Sequence, residues 1–229
     1  MHTRRPFLGR LRGVTGTDLL VLISVLSVLA ALWTARQASV RQKSRLLRCT
    51  ANLQQINAAV HGFCGDHNQT LPGPSAELQG NLWWWYKEQV KGYANLKGPS
   101  STNDALFACP DDRGYSDPVP FCRSERFDFS SYVFNGVTLP GMPNIAGRDV
   151  ASVRTPQRTL LVMEWTAHAP LSWHHSKTGQ RNMPFYSDAE SVVGFLDGHV
   201  SLTKIYYDGY NAAFTRDPID AYEYKYSGD

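Results

Sequence analysis

The last third of this 229-residue chain is rich in side chains that do chemistry. His168, His174, His175 and His199 fall there, with Glu164, Asp188, Glu190 and Asp197 close by in sequence. Imidazoles and carboxylates together move protons or hold a divalent metal. Their spacing fits no local motif: there is no H-x-x-x-H pair on a helix and no H-E-x-x-H, so the spacing of a zinc enzyme is absent. G-x-S-x-G, P-loop and G-x-G-x-x-G patterns are absent too. A metal or active site would have to be assembled by the fold from distant residues. An enzyme of that kind predicts perturbed ionisable groups clustered in a cleft, whereas an assembly protein predicts scattered ones.

Three other features bear on binding. Asp111, Asp112 and Asp117 share one loop, and Asp208, Asp217 and Asp220 lie in the tail. Calcium takes oxygen ligands from such loops, but no twelve-residue EF-hand pattern is present, and solvated loop acids are the simpler reading. Trp83, Trp84 and Trp85 are adjacent, so they cannot all face one way on a helix or strand. At least one belongs in the core, and an exposed one would mark a contact surface. Asp197-Gly198 sits between two strand-like runs and reads as a hairpin turn, where Gly supplies positive φ, rather than as an active-site carboxylate.

The elements that must position these groups start with one apolar run. Leu19 to Trp33 carries no charge, and counted from Val14 it reaches the ~20 residues a membrane-crossing helix needs. Arg4, Arg5, Arg10 and Arg12 precede it, and Arg36, Arg41, Lys43, Arg45 and Arg48 follow, so charge alone does not orient it. A cleavable secretory signal, a plain signal anchor and a leader cut on the cytoplasmic side of an apolar helix that stays in the mature protein all fit this start. Beyond Trp33 no Pro appears until Pro72, and Leu46, Cys49, Leu53, Ile56, Val60 and Phe63 recur at steps of three and four. One helix from about Thr15 to Asp66 follows, near 80 Å at ~1.5 Å per residue, stopped by Asn68 and Pro72-Gly73-Pro74.

The body beyond Pro72 reads as α+β. A short helix opens around Trp83–Glu88, and strands are expected at Tyr132–Val137, Thr159–Trp165, Val192–Leu196 and Val200–Tyr206. Formal net charge is +3, yet residues 49–229 hold 19 acids against 14 bases. That mildly acidic body excludes a nucleic-acid partner, and a mean hydropathy of −0.34 excludes a polytopic membrane protein.

Several stretches carry a resemblance. Gly13-Val14-Thr15-Gly16-Thr17-Asp18-Leu19-Leu20-Val21 resembles the processing motif of type IV prepilins and type II secretion pseudopilins. Cys49-Thr50-Ala51-Asn52-Leu53-Gln54-Gln55-Ile56, Cys109-Pro110, Ser131-Tyr132-Val133-Phe134-Asn135 and Asp197-Gly198-His199-Val200 resemble, in order, the C-x-x-N-L-x-x-I, C-P, S-Y-x-x-N and D-G-H-V stretches of one pseudopilin-like group. That group places a His ten residues before the D-G; here Ser187 stands there, and His175 lies earlier. The resemblance implies a basic leader over 1–13, removed after Gly13 by a prepilin peptidase that methylates Val14. It implies a transmembrane helix over 14–33, an amphipathic continuation over 34–68 and an exported domain over 69–229. It also implies that Asp18 meets the N-terminal amine of a neighbouring subunit; the simpler alternative is that Asp18 only favours the helix N-terminus. The expected fold is a pilin-like long helix packed on a small antiparallel sheet. The expected function is non-enzymatic: a single-pass subunit of the cytoplasmic membrane, its domain extracytoplasmic, assembling with other pilin or pseudopilin subunits. The alternatives are an anchored binding module using the Trp-rich segment and an anchored metal-dependent enzyme. No cofactor is expected, calcium being the one considered.

The cysteines follow from the helix. Cys49 and Cys64 would stand ~22 Å apart on a continuous helix, beyond the ~7 Å limit for a bridge. A local Cys109–Cys122 bridge is the favoured pairing; two-bridge patterns tying the helix to that region, and no bridge at all, stay open. No C-x-x-C pair is present, which excludes a zinc ribbon or thioredoxin-type motif.

Overall fold

A computed structural model describes residues 15–75, 82–115, 119–137, 139–169, 171–174, 189–206, 215, 217, 219–220 and 222–229. The chain forms two compact units, Met1–Lys43 and Ser44–Asp229.

In the first unit the described residues after Thr15 belong to α1, whose full span is Gly16–Asp66, within a residue of the sequence expectation. The large apolar side chains of this part are exposed all round, from Val25 at 51% to Leu20 at 68%. The hydroxyls in and next to the apolar run are satisfied within the helix: Ser24 Oγ donates to Leu20 O, Ser27 Oγ to Ile23 O and Thr34 Oγ1 to Ala31 O. Leu19–Trp33 thus shows its surroundings little but hydrocarbon, and α1 is long and apolar enough to cross a membrane.

The second unit is α+β. Within it α1 turns one stripe inward, burying Cys49, Asn52, Leu53, Ile56, Asn57, Val60 and Cys64. The helix stops where Asn68 and Gln69 take left-handed backbone and Gln69 N–H caps the Cys64 carbonyl at 2.8 Å. A five-residue helix, α2 (Tyr86–Val90), follows the tryptophans. Four strands, β1 (Tyr132–Phe134), β2 (Leu160–Glu164), β3 (Glu190–Phe195) and β4 (Val200–Lys204), form one antiparallel sheet in sequential order. β1, β2 and β4 lie inside the runs expected from sequence, and β3 starts two residues before the expected Val192–Leu196. β1 and β2 are buried on both faces, which explains why Leu160-Leu161-Val162-Met163 is a continuous apolar run instead of an alternation.

The motifs prove to be packing devices. Asn52 Nδ2 donates to Ala108 O at 3.0 Å and reaches Tyr132 Oη at 3.4 Å, joining α1 to the Cys109 loop and β1. Asn135 Nδ2 donates to Leu160 O and Tyr226 O, both at 2.8 Å, fastening the C-terminal tail to the sheet. Asn57 lies against Gly194 of β3 so closely that any Cβ there would collide with its amide. Asp197-Gly198 forms the β3–β4 turn with Gly198 at φ 96°. Trp84 and Trp85 are core residues, donating from their indole nitrogens to Ser130 O and Gly136 O, and Trp83 is partly buried.

Candidate functional site

A site forms where four segments of the second unit meet. Cys49 comes from the buried stripe of α1, and Cys109 from the loop that Asn52 holds. Glu164 ends β2, opposite Tyr132 in the register, and His174 follows the short 3-10 turn Trp165–Ala167 after β2. Cys49 and Cys109 form a disulfide with Cα atoms 5.2 Å apart. Cys109 Sγ lies 3.2 Å from Glu164 Oε1 and 3.9 Å from His174 Nε2, and Nε2 lies 2.7 Å from Oε1. One ligand atom from each of these four buried residues falls within 4.8 Å of the others.

The surrounding groups fix each side chain. Asp111 Oδ2 stands 3.1 Å from His174 Nδ1, and Asp111 Oδ1 pairs with Arg45 Nε at 3.2 Å. Glu164 Oε2 accepts Val192 N–H at 2.8 Å. Ser131 Oγ accepts Cys109 N–H at 2.9 Å and donates to Asp112 at 2.7 Å; Asp112 also accepts the N–H groups of Cys122 and Gly114. Burial disfavours a charged ring at His174, but the Glu164 charge, the hydrogen bonds of Asp111 and Glu164 and the Asp111 charge outweigh it and push the pKa up to about 9. Together these groups can hold a proton between imidazole and carboxylates, or a metal between thiolates, imidazole and carboxylate.

Several sequence expectations need correcting. Cys109 bonds Cys49 and not Cys122, because Asn52 and Ser131 carry the Cys109 loop to α1; Cys64 and Cys122 remain thiols, held up at about 11 by burial, with the Asp112 charge adding to Cys122. The ionisable groups are not scattered, since His174, Glu164 and Asp111 converge, although in the interior and not in a cleft. Two of the described loop acids are engaged by backbone N–H donors: Asp112 as above, and Asp217 by Tyr226 and Ser227. Trp84 and Trp85 offer no exposed platform. His199 bonds Asp197 at 2.6 Å and stacks on Phe195 at the hairpin, while His168 is buried between Trp83 and Tyr226. Asp18 accepts Thr15 N–H at 3.0 Å and Thr15 Oγ1–H at 2.7 Å, a reciprocal cap on the first turn of α1. Gly13, Val14, Asp117, His175, Ser187, Asp188 and Asp208 lie outside the described residues.

Sequence reasoning missed Asp111 as the partner of His174, and it left Cys49 open as a partner of Cys109 only within the two-bridge patterns. One signal was present: Cys49, Cys109 and Ser131 all belong to the stretches that carried the resemblance, and all three meet here.

Fold and site together define an α+β protein with a membrane-length N-terminal helix and a buried Cys/Glu/His cluster. Comparison with protein-family models, curated proteins and solved structures finds no match.

Proposed function

We propose that the chain is a membrane-anchored structural subunit of a type IV pilus-like or type II secretion pseudopilus-like filament, acting by assembly and not by turnover. A prepilin peptidase cuts after Gly13 and methylates Val14. Residues 14–33 hold the subunit in the cytoplasmic membrane with the body outside, and then bury against the same segment of neighbouring subunits.

The observation that carries this reading is α1. Its charge-free Leu19–Trp33 surface is apolar all round, with its hydroxyls satisfied internally, and the same helix buries only one stripe beyond Ser44. A helix of that kind needs lipid or neighbours first and a globular partner second. The terminal amine of an incoming subunit would compete for the Asp18 carboxylate that Thr15 now occupies.

Cysteines placed at Ser24 and Ser27 test this in membranes. Mild oxidation should give a ladder of crosslinked multimers; monomers alone at every oxidant level would contradict assembly through this segment.

A further inference from the structure

The geometry points to a tetrahedral zinc centre formed by Cys49, Cys109, Glu164 and His174 when the two cysteines are thiols instead of a disulfide. It does not depend on the filament reading. Zinc–ligand bonds of about 2.0 to 2.3 Å give a tetrahedron with edges of about 3.3 to 3.8 Å. Two edges already approach that size, Cys109 Sγ to Glu164 Oε1 at 3.2 Å and Cys109 Sγ to His174 Nε2 at 3.9 Å, and the 2.7 Å Nε2–Oε1 pair opens by about 0.6 Å when a cation replaces the proton between them. Opening the S–S bond lets Cys49 Sγ move out to the fourth corner, all four donor atoms already lying within 4.8 Å.

The donor set selects the metal. Two thiolates, an imidazole and a carboxylate suit Zn2+, whereas Ca2+ and Mg2+ take oxygen alone. All four residues are buried, as in a closed structural site.

The outer partners suit the same role. Asp111 occupies His174 Nδ1 and turns Nε2 inward, and Arg45 fixes Asp111 from its other oxygen. Val192 N–H occupies Glu164 Oε2 and leaves Oε1 facing the sulfurs. Such carboxylate–histidine orientation is what a zinc ligand uses. The disulfide form also leaves a mismatch: a bridged Cys109 sulfur has no proton to offer the carboxylate oxygen 3.2 Å away. A cation between them removes it.

Conversion of one form to the other balances. A water-soluble phosphine breaks the S–S bond by giving up two electrons; it takes oxygen from water and leaves as its oxide, and water's two protons go to the sulfurs. Zn2+ then binds both sulfurs as thiolates and His174 through Nε2, and it releases the two thiol protons together with the proton that Nε2 shares with Glu164. The metal would tie α1, the Cys109 loop, β2 and the 171–174 segment at one point.

The test uses the full chain in detergent, reduced with a phosphine, stripped with a chelator and kept free of oxygen. Titration with Co2+ should show one ion per chain, with tetrahedral visible bands and a sulfur-to-cobalt charge-transfer band. One equivalent of Zn2+ should abolish both. Oxidised wild type should show neither, Cys64→Ser/Cys122→Ser should keep both, and Cys49→Ser should lose about half the charge-transfer intensity. If the stripped, reduced chain loses its tertiary circular dichroism, Zn2+ should restore it in wild type but not in His174→Ala. A folded, reduced wild type without cobalt bands, bands that survive in Cys49→Ser/Cys109→Ser, or a fold that Zn2+ does not restore would overturn the proposal.

Discussion

Cys49 on α1 and Cys109 in the following domain are 60 residues apart in sequence, yet their Cα atoms stand 5.2 Å apart and a disulfide joins them. Closing a loop of that length stabilises by about 4 kcal/mol on the chain-entropy account. Cys49→Ser should therefore lower the unfolding free energy by roughly that amount, while Cys122→Ser should change it little. Non-reducing peptide mapping should recover a Cys49–Cys109 crosslink with Cys64 and Cys122 as thiols. A Cys109–Cys122 peptide would contradict this arrangement.

Close approach of α1 to β3 gives a second prediction. A methyl at Gly194 meets the buried Asn57 amide, which donates to Phe195 O at 3.5 Å. Gly194→Ala should cost about 1–3 kcal/mol by overpacking. Adding Asn57→Ala should relieve part of that cost, so a double-mutant cycle in urea should give a favourable coupling. Strict additivity would mean that the two residues do not touch.

His168 supplies a pH dependence. Unfolded, its ring titrates near the ordinary 6.5; folded, burial between Trp83 and Tyr226 pulls its pKa down to about 3. Between those values the unfolded chain binds a proton that the folded chain refuses. The contribution is fully present above pH 6.5 and is lost progressively as pH falls towards 3. In His168→Phe, the stability lost between pH 7 and pH 4 should shrink by about 3 kcal/mol. Equal losses in both proteins would refute a neutral, buried His168.

Much of this architecture is legible in the sequence, and the reasons are local. The proline-free stretch with apolar steps of three and four marks α1, and Asp197-Gly198 marks the β3–β4 turn, because each depends on neighbours in sequence. The Cys49–Cys109 pairing is not legible: it depends on Asn52 and Ser131 carrying a distant loop onto the helix. Nor is the meeting of His174 with Glu164 and Asp111, which needs β2, the Cys109 loop and the turn after β2 in place together. The tryptophans are legible in part: their adjacency puts at least one in the core, but residue type alone does not say whose indole N–H will find a carbonyl inside, as those of Trp84 and Trp85 do.

Asp18 separates capping from assembly. It caps α1 through Thr15, so Asp18→Asn, which keeps an accepting oxygen, should retain helix content and membrane insertion. Without the charge, a neighbour's amine would be buried uncompensated, and incorporation into filaments should fall at least tenfold in a wild-type background. Undiminished incorporation would show that Asp18 serves the cap alone.

The most direct measurement is the mass of the N-terminal peptide of the membrane-extracted protein. A filament subunit of the proposed kind begins at Val14 with a methylated amine. An intact Met1 start, or a cut near Ala35 that removes the apolar helix, would contradict the account.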